Sequence, residues 1–154
     1  MPIRAFAFAF VRALYDVNVL IALFDPQHTQ HHKAKQWHAQ TQTQTHGWAS
    51  CPLTQNGLLH VVSQPRDTHP ATVAELLALL ADATNDPSHE FWPDDISLAA
   101  GGTLHRTVPL TSSAITDIYL LALAVKHAGR LITLDTRISR SAVVGATPEH
   151  LVVL

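Results

Sequence analysis

Charge is scarce in this chain. Only 14% of its 154 residues are Asp, Glu, Lys or Arg, against roughly 25% in an ordinary soluble domain. So neutral a surface suggests that a partner covers part of it. The net charge of −2 gives no global field to draw in nucleic acid, so any such binding needs a local basic patch. Cysteine is nearly missing. Cys51 alone excludes an intrachain disulfide, fits a reducing, cytoplasmic setting, and reads as a small buried apolar residue. No apolar run reaches the roughly 20 residues of a membrane-spanning helix. The opening "MPIRAFAFAFV" resembles a signal peptide only weakly, because Arg12 and Asp16 follow and no small-x-small cleavage site appears. It reads as an N-terminal extension, residues 1–11, ahead of one domain over 12–154. Nucleotide fingerprints of the G-x-G-x-x-G and G-x-x-x-x-G-K-[ST] kinds are absent. The D-x-D of haloacid-dehalogenase-like phosphatases is absent as well, its place being taken by "DVN" at 16–18.

What is present is an alternation of apolar strands and helices. "VRALYD" (11–16) reads as a buried strand, with "NVLIALF" opening a helix. A polar-faced helix follows over 27–42, with Ala34 and Trp37 inward, and "GWASC" (47–51) is a second strand. The spacing predicts helices over 53–64, with Thr54 as N-cap, and over 70–82, with Pro70 near its first position. A short strand is expected around His89–Trp92, and another extended piece at "HRTVPL" (105–110). A helix over 112–129, capped by Ser and ended by Gly129, leads to the strands "RLITLD" (130–135) and "HLVVL" (150–154). Apolar strands separated by helices imply a parallel sheet covered on both faces.

Three acids stand out on this map. Asp16 and Asp135 end apolar strands, and Asp117 lies near the start of the long helix. In open parallel sheets, ligand sites form beyond the carboxyl ends of the strands, and helix N-termini face the same way. Converging carboxylates repel unless a cation neutralises them, and oxygen-only ligands suit Mg²⁺ or Mn²⁺. The plainer alternative makes each acid an ordinary turn or capping residue.

Taken together, "RALYDVNVLIALFDPQHTQHHKAKQW", "GWASCPLTQNGLLHVVSQP", "FWPDDISL" and "TDIYLLALAVKHAGRLITLDTRI" resemble PIN-domain ribonucleases of the VapC toxin type. The resemblance implies a three-layer α/β/α sandwich around a central parallel sheet. It also implies metal-dependent endoribonuclease activity with Mg²⁺ or Mn²⁺, and a VapB-like antitoxin that inhibits it. By motif, Asp16, Asp117 and Asp135 take the positions of the family's metal-binding acids. One position departs. Where relatives carry Glu in a "CPLTENG" block, this chain has Gln55, which keeps the size and loses the charge. The departure is expected to weaken divalent binding and attenuate the enzyme. The rival reading is a catalytically impaired PIN-like module that binds RNA or antitoxin without cutting.

Supporting roles are expected nearby. Asn18 could orient a ligand or substrate, or serve as a helix N-cap. Thr133, two residues before Asp135, would share its strand face. Arg130, Arg137 and Arg140 could hold RNA phosphates, with Arg137 beside the last acid. His28, His31 and His32 lack a third ligand at zinc spacing and read as a solvated face. The low charge fraction and the apolar helix at 70–82 suggest a homodimer.

Overall fold

The computed structural model describes residues 11–43, 47–65 and 71–154. Most of the expected extension, and Pro70 with it, lie outside the described residues. Five short strands form one sheet: β1 (Ala13–Tyr15), β2 (Trp48–Ser50), β3 (His89–Phe91), β4 (Arg130–Thr133) and β5 (Leu151–Val153). Their spatial order is β3-β2-β1-β4-β5, and every pairing is parallel. The main helices are α1 (Val17–Phe24), α2 (His31–Thr43), α3 (Pro52–Val62), α4 (Val73–Thr84) and α5 (Ile115–Lys126).

The pleat divides the core in two. Ala13, Tyr15, Trp48 and Ile132 point to one face and pack with Val19 and Leu20 of α1, Leu58 of α3, and Leu76 and Leu80 of α4. Leu14, Ala49 and Leu131 point to the other face and meet the α5 run from Leu120 to Ala124, together with Trp92. Strands buried on both faces need continuous apolar sequence rather than alternation, which is what "ALY" and "LIT" supply. The result is the expected three-layer sandwich. The helices leading from β1 to β2 and from β2 to β3 cover one face. The chain then returns past β1, crosses the opposite face through α5, and adds β4 on β1's free side. Right-handed crossovers require that change of face when the direction of travel reverses. The strand order therefore turns at the β1/β4 boundary, the place where open sheets of this kind leave a crevice.

Several expected boundaries move, each for a local reason. Thr54 is not the cap of α3. Pro52 occupies the first turn, Cys51 is the cap residue, and the Thr54 hydroxyl reaches back to Cys51, accepting from its N–H at 3.0 Å and donating to its C=O at 3.1 Å. Cys51 itself is buried. Thr72 caps α4 through a reciprocal box with Glu75, so that helix starts three residues after the expected point. The extended piece expected at 105–110 is a turn, and Leu104 makes only an isolated antiparallel bridge to Val143. The long helix begins as a 3₁₀ turn at Ser112–Ala114, with no side-chain cap. At its far end the left-handed residue is Ala128, φ 51°. Gly129 is required for a different reason: a Cβ there would lie 2.5 Å from Trp92 Cη2 and 2.6 Å from the Arg12 carbonyl oxygen.

Candidate active site

β1 delivers Asp16 to the crevice. Its N–H still bonds the Ile132 carbonyl of β4 at 3.0 Å, while its own carbonyl accepts the first α1 bond, from Leu20 N–H at 3.0 Å. It thus follows the last strand residue, Tyr15, and caps the helix at once, which leaves the N-cap role expected of Asn18 to Asp16. Asn18 is the exposed second residue of α1. The Asp16 side chain is buried, the residue being 3% exposed. Its Oδ2 accepts from the Thr133 hydroxyl at 2.8 Å, and the Thr133 oxygen accepts from the Asp135 N–H at 3.0 Å. One fully buried threonine therefore ties together the loops that leave β1 and β4.

Burial dominates the electrostatics of Asp16 and raises its pKa above the ordinary carboxylate value. Thr133 and the amides of Val17 and Asn18 oppose that rise, and the charge of Asp135 adds to it. Asp117 sits in the first turn of α5, where a helix N-terminus favours a negative charge. Burial and the neighbouring charges of Asp16 and Asp135 outweigh this, and its pKa is pushed up to about 6. Asp135 goes the other way. Arg137 holds it below the ordinary value through a side-chain ion pair and a backbone N–H. Asp117, Asp135 and Arg137 line a cleft of about 270 Å³, with Thr111, Ser113 and Ile118 also in its wall. Asp16 is not in that wall; it reaches the cleft acids through its charge, which raises the pKa of Asp117 as that of Asp135 does.

Gln55 departs from the same edge of the sheet, and its side chain bonds Ser50. The β1–β2 register pairs Leu14 with Ala49, which sets Asp16 level with Cys51, the residue from which α3 departs. Gln55 lies on the first turn of α3, and its Nε2 donates to Ser50 Oγ at 2.9 Å; Ser50 Oγ in turn lies 2.8 Å from His89 Nε2. Burial is the largest cause holding the His89 pKa below its ordinary value. Sequence reasoning missed this Ser50–His89 pair because it joins strands 39 residues apart. It also missed Thr111 and Ser113 as cleft residues, although the hydroxyl-rich "LTSSAIT" before Asp117 carried the signal.

The other basic and histidine residues separate. Arg130 begins β4, at the opposite end of that strand from Asp135, and so cannot join a phosphate patch with Arg137. Arg140 lies in a 3₁₀ turn after the cleft. His31 Nδ1 lies 2.7 Å from the Ala22 carbonyl oxygen, and His28 Nδ1 accepts from Gln30 N–H, so both hold the α1–α2 turn. Asp94 accepts from Leu53 N–H at the start of α3, and Asp95 pairs with Lys126.

The chemistry of the donor set fits a hard divalent cation. It consists of carboxylate oxygens whose pKa values are raised first by burial and further by neighbouring negative charge, and both costs are relieved by a bound cation. No three His, Cys, Asp or Glu side chains among the described residues stand as a finished ligand set, and Asp135 is the member already engaged, by Arg137.

The family model "PIN domain" matches residues 13–144. A search of curated proteins finds "Ribonuclease VapC44" of Mycobacterium tuberculosis, 46% identical over 144 residues, covering 94% of this chain and 100% of that protein. "Ribonuclease VapC39" of the same organism is 39% identical over 134 residues, covering 86% of this chain and 95% of that protein. "Ribonuclease VapC38" is 36% identical over 126 residues, covering 80% and 84%.

Proposed function

The chain belongs to the PIN-domain family, among the VapC ribonucleases, and from that premise we propose how its own residues carry out metal-dependent cleavage of RNA. As a VapC-type protein it is the toxin endoribonuclease of a toxin–antitoxin pair, with RNA as substrate and a VapB antitoxin as partner. The site we assign is Asp16, Asp117 and Asp135, and the observation that carries it is their electrostatic coupling beside the β1/β4 crevice. Mg²⁺ or Mn²⁺ held there supplies a lowered pKa for a water and positive charge against the phosphate.

The remaining work belongs to the chain. Asp16 is fixed by Thr133, so its carboxylate needs no reorganisation when the site is used. Asp117 and Asp135 line the cleft wall, with both Asp135 oxygens accepting from Arg137. Thr111 and Ser113 offer hydroxyl donors, and Arg137 offers a forked cation suited to a phosphate. To Asn18, exposed two residues after Asp16 on the first turn of α1, we assign a contact to substrate. We assign Gln55 to the same edge, where relatives of the motif carry Glu, and the site is one anion short in consequence. Residues 12–154 form the active domain, and the setting we assign is cytoplasmic; among the described residues no helix is long and apolar enough to cross a membrane.

The test is cleavage of labelled single-stranded RNA across a Mn²⁺ and Mg²⁺ titration. Gln55→Glu is expected to raise the rate on the order of 10- to 1,000-fold, the range of one electrostatic catalytic group. The gain should disappear in the double substitution with Asp117→Asn. The starting protein should prefer Mn²⁺, because Mg²⁺ gives up water reluctantly and demands stricter geometry. No improvement in Gln55→Glu at any metal concentration removes position 55 from the site. No cleavage by either protein, with RNA binding intact, would instead support the non-cutting reading, which the uncharged Gln55 favours.

A further inference from the structure

Arg137 makes more contacts to Asp135 than a substrate-binding arginine needs. Its Nε donates to Oδ1 and its Nη2 to Oδ2, both at 3.1 Å, and its backbone N–H donates to Oδ1 at 2.8 Å. Both oxygens of one of the three site carboxylates are therefore occupied by a residue of the same chain. The arrangement is built by short-range geometry: Thr133 anchors the Asp135 N–H from one side, and the two-residue spacing "DTR" returns Arg137 onto the carboxylate from the other. Among the described residues no three His, Cys, Asp or Glu side chains stand as a finished ligand set.

We propose that Arg137 is an internal competitor of the metal ion: it holds Asp135 when no cation is bound, and it releases that carboxylate as the cation loads. The proposal rests on the assignment of Asp135 to the metal site. Two observations and one charge argument support it. The Arg137 side chain is 87% exposed while Asp135 is 20% exposed, so the guanidinium is tethered by this pair rather than by packing and can swing into solvent when a stronger cation takes the carboxylate. A divalent ion brings twice the charge to the same oxygens. Arg137 also lines the cleft with Asp117 and Ser113, so its released fork faces the space a phosphate would enter, and guanidinium matches phosphate as well as carboxylate. Linkage then makes the two events reciprocal: whatever draws Arg137 off Asp135 tightens metal binding, and metal binding frees Arg137 for substrate. A single residue thus weakens cation loading and strengthens RNA binding.

Opposite signs from one substitution are the signature. Mn²⁺ affinity is measured by titration calorimetry on the full chain without RNA, and KM and kcat are measured with labelled RNA. Arg137→Gln is expected to tighten Mn²⁺ binding about 3- to 10-fold, the range left when a partly exposed bidentate pair is removed, while raising KM for RNA. Arg137→Lys, which keeps the charge but loses the fork, should give an intermediate change in both. Asp135→Asn is the control and should weaken Mn²⁺ binding. Mn²⁺ affinity that is unchanged or weaker in Arg137→Gln, with the Asp135→Asn loss intact, overturns the competitor role. Unaltered Mn²⁺ affinity in Asp135→Asn overturns instead the placement of Asp135 in the metal site, and the competitor role falls with it.

Discussion

A carboxylate inside "LYDVNVL" is tolerated because Asp16 sits where a strand becomes a helix and Thr133 satisfies one of its oxygens. The sequence points to this residue, and to Asp117 and Asp135, because each interrupts or borders an apolar element. It does not reveal that Arg137 grips Asp135, nor that Gln55 leans on Ser50, since those contacts depend on side-chain choices that no spacing encodes. The pKa shifts lead to a prediction at this scale. Asp117 is ordinary in the unfolded chain and raised to about 6 in the folded one. Below the unfolded value both states are protonated, and it costs nothing. Between about pH 4 and 6 the unfolded chain releases the proton first, so metal-free stability falls as pH rises and stays lowered above that window. Asp16, also raised, acts in the same direction, whereas the lowered Asp135 loses its contribution only in more acidic solution. Urea unfolding from pH 4 to 7.5 should therefore show Asp117→Asn more stable than wild type at pH 7 and level with it near pH 4. A difference that does not change with pH would remove Asp117 from the charge cluster.

At the scale of elements, α4 shows what periodicity reveals and where it stops. Its apolar stripe was readable, and Leu76 and Leu80 are buried as that reading requires. The surplus was readable too, because "VAELLALLADAT" has more apolar residues than one face can bury. Val73, Leu77 and Leu79 are each about half exposed. We assign this outward side to a second copy of the chain, and light scattering at tens of micromolar should report twice the 16.8 kDa monomer mass. A monomeric mass at that concentration would refute the dimer. Helix ends were less readable. "HAG" at 127–129 looks like a glycine stop, yet Ala128 takes the left-handed turn and Gly129 serves the close approach of Trp92 and the Arg12 backbone. A glycine has the same letter whether a dihedral or a neighbour requires it, and here the neighbour lies 37 residues away.

Across the whole molecule, the fold class followed from strands too apolar to face water on either side, and from helices spaced between them. Strand order did not follow. Nothing in "RLIT" says that it lies beside β1 rather than beyond β3; the handedness of the α5 crossover and the two-sided burial of β1 decide that. Yet this placement makes the site, because pairing β4 with β1 brings Asp135 and Thr133 to Asp16. We assign to Asp16, Asp117 and Asp135 the holding of a divalent cation in that crevice. The most direct measurement of that claim is single-turnover cleavage of labelled RNA at saturating Mn²⁺ by wild type and Asp16→Asn. The account predicts measurable, metal-dependent cleavage by wild type that disappears when the metal is chelated, and a loss of about 100-fold or more in Asp16→Asn. Cleavage by Asp16→Asn at the wild-type rate, with the same dependence on Mn²⁺, would contradict it.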